Sequence, residues 1–142
     1  MKRPATILLV EDDKSMLDGM SDLLQAIDIG YEISTMTASN GIEALAQMAY
    51  TLPDIIVSDI MMPQMDGFQF LKTVQQNPNW IGIPFIFLTA RGEKHEIYKG
   101  RISGAALYIT KPFHSVELLE LIKHNSTESF RSNKPTNKAS TI

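Results

Sequence analysis

The sequence predicts an α/β domain built on a doubly wound, five-stranded parallel sheet. Two observations lead to this fold class. Apolar runs that are too short for typical helices alternate along the chain with segments in which apolar residues recur every three or four positions. The runs are continuously apolar, as is typical of strands buried on both faces of a parallel sheet. Strands that alternate with helices imply right-handed crossovers, with helices on both faces of the sheet.

Five strands are predicted. The three strongest candidates are the apolar runs at residues 6–10, 55–57 and 84–88, which are rich in β-branched or aromatic residues. Two weaker candidates cover residues 31–37 and 106–109. Each of the five candidates precedes a segment with helical periodicity, so the pattern indicates five βα units.

Five helices are predicted after these strands. The first carries an apolar stripe formed by Met16, Met20, Leu23, Leu24 and Ile27. An Asn or Asp followed three residues later by Glu or Gln marks the start of the second helix, at 41–49, and of the third, at 67–76. The fourth, at 93–102, is less periodic, and the fifth covers residues 115–124.

Length, composition and charge exclude several classes of protein. The 142 residues fit one domain better than two, and a 44% hydrophobic content is ordinary for a globular chain. A formal charge of −3 argues against nucleic-acid binding through this chain, and the absence of cysteine excludes disulfides and thiolate metal sites. We find no secretory signal and no apolar stretch approaching the roughly 20 residues that cross a membrane. We therefore expect a soluble, cytoplasmic protein with no membrane partner.

The folded domain is expected to cover residues 1–124. Residues 125–142 are rich in Ser, Thr, Asn and Lys and contain few large apolar side chains. Such a segment cannot bury enough apolar surface to offset the entropy that it would lose on ordering. It is predicted to be a disordered tail or the start of a linker, which leaves open whether the protein stands alone or is part of a longer one.

Polar side chains follow four of the strands, at the sheet edge where ligands bind in open α/β folds. They are Glu11, Asp12 and Asp13 after the first strand, Asp59 at the end of the third, Thr89 at the end of the fourth and Lys111 after the fifth. Clustered carboxylates repel one another, and a divalent cation would remove that cost. Because the ligands are oxygens without a nearby His or Cys, Mg²⁺ is expected, with Mn²⁺ as the alternative. A metal, a nucleophilic carboxylate and an ammonium are recurring parts of phosphoryl transfer.

Five motifs resemble those of the response-regulator receiver family. They read ILLVEDD at 7–13, DIIVSDIMMP at 54–63, MDG at 65–67, FLTA at 87–90 and ITKPF at 109–113. Any one of them alone would be a weak signal, but all five occur in the family's order and at similar spacing. The resemblance covers residues 5–124 and implies a flavodoxin-like (βα)5 receiver fold.

The resemblance also implies a phosphorylation site with a bound metal. Asp59 would be the phosphoacceptor. Asp12 and Asp13 would hold Mg²⁺ together with Asp59, and the backbone carbonyl of Met61 would complete the protein ligands. The alternative for Asp13 is that it simply caps the first helix, a common role for Asp.

Three further residues are implied to sense the phosphoryl group. Lys111 would pair with the phosphoryl oxygens. Thr89 would hydrogen-bond the phosphoryl group and move with it, and Tyr108 would turn inward as Thr89 moves. The readout surface would be formed by the fourth helix, the fifth strand and the fifth helix, around Lys99, Arg101, Tyr108 and Lys123.

The implied function is a two-component phosphorylation switch. A sensor histidine kinase or a phosphotransfer protein would supply the phosphoryl group, and a downstream target or effector domain would bind the readout surface. The protein would catalyse its own phosphorylation and dephosphorylation without being an enzyme toward external substrates. Whether it forms a homodimer is left open.

Two other functions remain open at this point. A degenerate receiver would bind a protein partner independently of phosphate, although the intact acidic pocket argues against it. A Mg²⁺-dependent phosphatase of the aspartate-nucleophile class would place its nucleophile after the first strand as Asp-x-Asp. This chain has adjacent acidic residues there and a lone Asp after the third strand, which disfavours that class.

Overall fold

A computed structural model of the chain describes residues 3–27, 30–90, 107–111 and 114–125. The elements within these ranges are β1 (Arg3–Val10), α1 (Lys14–Ala26), β2 (Tyr31–Ala38), α2 (Gly41–Met48), β3 (Ile55–Asp59), α3 (Gly67–Gln75), β4 (Phe85–Ala90), β5 (Leu107–Lys111) and α4 (Ser115–Asn125). The strands form one sheet in the order β2-β1-β3-β4-β5, and every neighbouring pair is parallel. The predicted doubly wound parallel sheet is confirmed.

The helices of the described ranges cover both faces of this sheet. One face packs against α2 and α3 through a cluster that includes Met48, Phe70 and Phe87. The other face packs against α1 and α4 through a cluster that includes Leu24 and Ile122. Complete burial of a side chain of this size stabilises the fold by roughly 1.5–3 kcal/mol, so these two clusters hold the layers together.

Individual elements differ from their predicted bounds in ways that have physical reasons. The buried residues of α1 are Leu17, Met20 and Leu24. Leu17, which the predicted stripe does not include, is therefore buried near the N-terminal end of the helix. The fifth predicted helix corresponds to α4, which covers Ser115–Asn125 and in which the Asn125 side-chain amide donates to the Leu121 carbonyl. The predicted fourth helix at 93–102 and residues 126–142 of the predicted tail lie outside the described residues.

Two helix caps fix the loops that lead into the site edge. The Asp66 carboxylate accepts the Gln69 backbone N–H and the Gln69 side chain accepts the Asp66 N–H, which forms a capping box at the start of α3. The Asn40 side chain accepts the Glu43 N–H at the start of α2. Both caps confirm the predicted helix starts. Within the described ranges, the helices are all too short or too polar to cross a membrane.

Candidate functional site

Asp59 ends the central strand β3 at the edge of the sheet where the strand order reverses between β1 and β3. Reversals of this kind create the crevice in which open α/β sheets bind ligands. The residue is only 9% exposed. Its Oδ1 accepts the Ile60 backbone N–H at 2.8 Å, and its Oδ2 lies 3.2 Å from the Lys111 Nζ. Each carboxylate oxygen of Asp59 is therefore held in place by a partner from the protein itself.

Glu11 and Asp12 place two more carboxylates beside Asp59. One carboxylate oxygen from each of the three residues lies within 4.8 Å of the others. Glu11 is 2% exposed, and its backbone N–H continues the β1–β2 ladder by donating to the Ala38 carbonyl. Asp12 is exposed and forms the open side of the cluster. The cluster can therefore receive a ligand from solvent on the side of Asp12.

Asp13 has a different role from the other two acidic residues of this loop. Its carboxylate accepts the Met16 backbone N–H at 3.2 Å and caps α1, while its own N–H donates to the Glu11 Oε2 at 3.0 Å. The acidic cluster thus contains Glu11 where the predicted ligand set contains Asp13. The physical reason is that successive residues in the loop direct their side chains differently, and the start of α1 takes the third carboxylate as its cap.

Lys111 brings the positive charge of the site from the end of β5. Its Nζ lies 3.2 Å from the Asp59 Oδ2 and 3.4 Å from the Glu11 Oε1. Burial lowers the pKa of Lys111, but the negative charges of Asp59 and Glu11 raise it by more, so the pKa lies above its ordinary value. Lys111 therefore stays protonated, and the predicted meeting of Asp59 with Lys111 is found in the structure.

Thr89 presents a buried hydroxyl near the end of β4. The residue is 1% exposed, and among the described residues its Oγ1 has no hydrogen-bond partner. It lies one position beyond Leu88, which pairs with Asp59 across the β3–β4 ladder. A buried polar group without a partner costs roughly 1–3 kcal/mol, so an oxygen ligand within hydrogen-bond reach of this hydroxyl would recover that cost.

The remaining predicted residues lie around this pocket. Tyr108 is partly buried on β5, pairs with Phe87 in the sheet and packs against the cluster of the α2–α3 face. Met61 lies two residues after Asp59 with 64% of its surface exposed. Lys123 is exposed on α4. The predicted roles of Tyr108 and of the Met61 carbonyl stay predictions, and Lys99 and Arg101 of the predicted readout surface lie outside the described residues.

The donor set of the pocket fits a hard divalent cation. Three carboxylates and one ammonium carry a formal charge of −2 when all are ionised, so the pocket has an excess of negative charge. Every candidate ligand atom is an oxygen, as Mg²⁺ and Mn²⁺ prefer. The exposed side at Asp12 leaves room for the waters that Mg²⁺ retains. The residues present therefore fit the predicted metal.

Glu11 should make the stability of the metal-free protein pH-dependent. Burial raises its pKa, the Asp13 N–H lowers it and the Asp59 charge raises it again, which brings it from 4.5 to about 7. Between these two pH values the folded state holds a proton that the unfolded chain has lost. The resulting stabilisation is fully present below pH 4.5 and is lost as the pH rises through about 7, at about 1.4 kcal/mol per pKa unit.

Thermal unfolding in EDTA between about pH 5 and 8 checks this expectation. The melting temperature of the wild type should fall across the interval, and the fall should be smaller in Glu11→Gln, which cannot titrate. Equal falls in both proteins would show that another group carries the pH dependence.

Comparisons of the sequence with protein families and with known proteins agree with one another. The family model described as "Response regulator receiver domain" matches residues 7–123. Response regulator Rre1 of Synechocystis sp. is 33% identical over 124 residues, which cover 87% of this chain and 52% of Rre1. Protein PilG of Pseudomonas aeruginosa is 37% identical over 117 residues, which cover 82% of this chain and 84% of PilG.

The fold is also similar to solved receiver structures. A putative response regulator from Chloroflexus aurantiacus superposes with a TM-score of 0.74 at 33% identity, covering 87% of this chain and 98% of that one. The chain spans about half the length of Rre1 but most of PilG. The similarity therefore concerns the receiver domain, and not the remaining half of the longer relative.

Proposed function

We propose that this chain, which belongs to the response-regulator receiver family, is a Mg²⁺-dependent phosphorylation switch with Asp59 as the phosphoacceptor. The observation that carries the proposal is the set of partners around Asp59. The partly buried Lys111 ammonium lies 3.2 Å from its carboxylate, and two further carboxylates lie beside it. The unpartnered hydroxyl of Thr89, among the described residues, supplies a donor at the same edge of the sheet.

The chemistry follows from these positions. A carboxylate oxygen of Asp59 attacks the phosphorus of a donor, a new P–O bond forms, and the bond to the donor's leaving group breaks with its electron pair. Lys111 stabilises the negative charge on the transferred oxygens, and the Ile60 N–H orients the Asp59 carboxylate. When bound, Mg²⁺ held by Asp12 and Asp59, with Glu11 beside them and the Met61 carbonyl as a further ligand, would neutralise phosphoryl charge.

Phosphorylation would then favour a second conformation. A phosphoryl group adds a charge of about −2 and strong acceptor oxygens. The Thr89 hydroxyl gains a hydrogen-bond partner only when the phosphoryl group is present, which gives the difference in interaction that a two-state switch requires. Movement of Thr89 toward the phosphoryl group would vacate space into which Tyr108 turns. The surface around β5 and α4, including Lys123, would carry the signal to a target.

The proposed partners follow from the same function. The phosphoryl donor would be a sensor histidine kinase or a phosphotransfer protein, and the target would be a downstream protein or an effector domain. The chain would act in the cytoplasm, and its only catalysis would be its own phosphorylation and dephosphorylation. Several full-length relatives are named as transcriptional regulators, including ycf29 of Pyropia yezoensis, but the part of them that this chain matches is about half their length.

Intact-mass measurement after incubation with acetyl phosphate and Mg²⁺ tests the proposal. The wild type should gain one phosphoryl group, the gain should disappear in EDTA, and Asp59→Asn should gain none. A folded wild type that forms no adduct would favour a binding module that works without phosphate. Steady release of phosphate from phosphate monoesters would instead favour the phosphatase class.

A further inference from the structure

Ser58 is a polar residue among apolar neighbours on one face of the sheet. It is fully buried in β3, where it pairs with Val10 of β1 on one side and Phe87 of β4 on the other. Both neighbours belong to the apolar cluster against α2 and α3. A buried hydroxyl is costly unless it is hydrogen-bonded, so we expect the Ser58 hydroxyl to have a hydrogen-bond partner.

The partner of Ser58 is the backbone of the residue proposed to be the phosphoacceptor. The Ser58 hydroxyl donates to the Asp59 carbonyl oxygen at 2.8 Å. The carbonyl is one covalent bond from the Cα that carries the Asp59 side chain. The last peptide of β3, between Asp59 and Ile60, carries both this carbonyl and the Ile60 N–H that donates to the Asp59 Oδ1 at 2.8 Å, so a bond that limits the rotation of this peptide also limits the direction of the Asp59 carboxylate.

Gly67, at the start of α3, lies close to the Asp59 carbonyl from another direction, while its own hydrogen bond goes to the next carbonyl along the chain. Its N–H donates to the Ile60 carbonyl at 2.7 Å. A Cβ on Gly67 would overlap the Asp59 carbonyl oxygen and would lie 2.8 Å from the Phe87 ring. The lack of a side chain thus lets α3 approach the end of β3 closely, and the Asp59 carbonyl is confined between the Ser58 hydroxyl and the Gly67 backbone.

We infer that Ser58 is a positioning residue for phosphoryl transfer, acting through the backbone of Asp59. The inference rests on the proposed function of Asp59. Lys111 approaches the Asp59 carboxylate from β5 at 3.2 Å, and the acidic cluster approaches it from the loop after β1. The carboxylate must meet both at once, so a small rotation of the last β3 peptide changes both the Lys111 contact and the geometry offered to a metal.

Two substitutions separate the hydrogen bond from simple packing. Ser58→Ala removes the hydroxyl, and Ser58→Cys keeps a side chain of similar size whose S–H is a weak donor. Both should slow phosphorylation by acetyl phosphate at saturating Mg²⁺ about threefold to tenfold, since small misplacements of reacting groups have effects of this size or larger. Both should also weaken Mg²⁺ binding measured by calorimetry, because Asp59 belongs to the cluster.

Ser21→Ala provides a matched control. The Ser21 hydroxyl makes a short hydrogen bond of 2.6 Å with the Thr35 hydroxyl between α1 and β2 and accepts one from the Gln25 side chain. Neither of these partners belongs to the acidic cluster. Ser21→Ala, like Ser58→Ala, should lower the melting temperature because a hydrogen bond is lost, but it should leave the phosphorylation rate and the Mg²⁺ affinity at their wild-type values.

The outcomes distinguish failure of the positioning role of Ser58 from failure of the proposed phosphorylation of Asp59. If Ser58→Cys recovers the wild-type rate and affinity, packing volume explains the residue and the positioning role is refuted. Wild-type values in Ser58→Ala refute it as well. If the wild type forms no adduct at all, the proposed function fails, and the Mg²⁺ affinities of the Ser58 variants against Ser21→Ala still decide whether Ser58 positions Asp59.

Discussion

An Asp12→Asn variant should bind Mg²⁺ at least about a hundredfold more weakly than the wild type, because loss of an outer-shell partner alone costs roughly 10- to 100-fold. An Asp13→Asn variant should bind it almost as tightly as the wild type. The difference is expected because an Asp12 oxygen lies within 4.8 Å of oxygens of Glu11 and Asp59, whereas the Asp13 carboxylate is directed to the Met16 N–H at the start of α1.

Calorimetric titration of both variants with Mg²⁺ measures this difference. Asn is as good an N-cap as Asp, so Asp13→Asn keeps the cap and changes only the charge. Asp13→Ala should cost about 1 kcal/mol of unfolding free energy through the lost cap, with Mg²⁺ affinity still close to that of the wild type. A loss of affinity in Asp13→Asn as large as in Asp12→Asn would restore Asp13 to the ligand set, and unchanged affinity in both would place the metal elsewhere.

The fold was predictable because the strands of this chain are continuously apolar. Runs such as 55–57 lie in a strand whose five residues are all buried, and no alternation between faces is needed to recognise it. The edge strand β2 was a weaker candidate because its residues alternate between partly buried and exposed. β1 begins three residues before the predicted run, since hydrogen bonding to β2 extends the strand past the point where apolar residues begin.

The site was predictable where each residue ends a strand, and less so within the loop after β1. Asp59 and Lys111 end β3 and β5, so the parallel sheet brings them to one edge whatever the details of the loops. Three consecutive acidic residues leave open which of them face the pocket. Side-chain direction there depends on the Glu11 hydrogen bond to β2 and on the cap of α1, and neither is visible in the order of the residues.

Ser58 shows a second limit of the sequence. Ser58 lies within the motif DIIVSDIMMP, but the motif does not indicate a role for its hydroxyl. Its hydroxyl can donate to several backbone oxygens, and only the rotamer found in the structure selects the Asp59 carbonyl. A serine directly after three apolar residues of a buried strand was nevertheless a usable signal, because a fully buried hydroxyl requires a partner.

Replacement of Lys111 by Met should have opposite effects on metal binding and on phosphorylation. Met has a similar length without the charge, so the substitution removes the ammonium that lies 3.2 Å from Asp59 and 3.4 Å from Glu11. The carboxylates then repel one another without compensation, and a dication no longer competes with a nearby positive charge. Mg²⁺ should therefore bind Lys111→Met severalfold more tightly than it binds the wild type.

Phosphorylation of Lys111→Met by acetyl phosphate should nevertheless slow by roughly 100-fold, because loss of one donor aimed at developing charge typically costs 10²–10³ in rate. The metal-free variant should also unfold more readily, by on the order of 1–3 kcal/mol after allowance for solvent screening at a side chain that is partly exposed. Added Mg²⁺ should then raise the melting temperature of Lys111→Met more than that of the wild type.

Lys72→Met is the matched control, since Lys72 is an exposed lysine in the last turn of α3 and the same charge is removed. It should leave Mg²⁺ affinity and phosphorylation rate unchanged. If Mg²⁺ affinity fell in Lys111→Met, the ammonium would be supporting the metal ligands rather than competing with the metal. If affinity rose while the phosphorylation rate stayed at the wild-type value, Lys111 would neutralise the empty pocket without stabilising the phosphoryl group, and the charge needed during transfer would have to come from the metal alone.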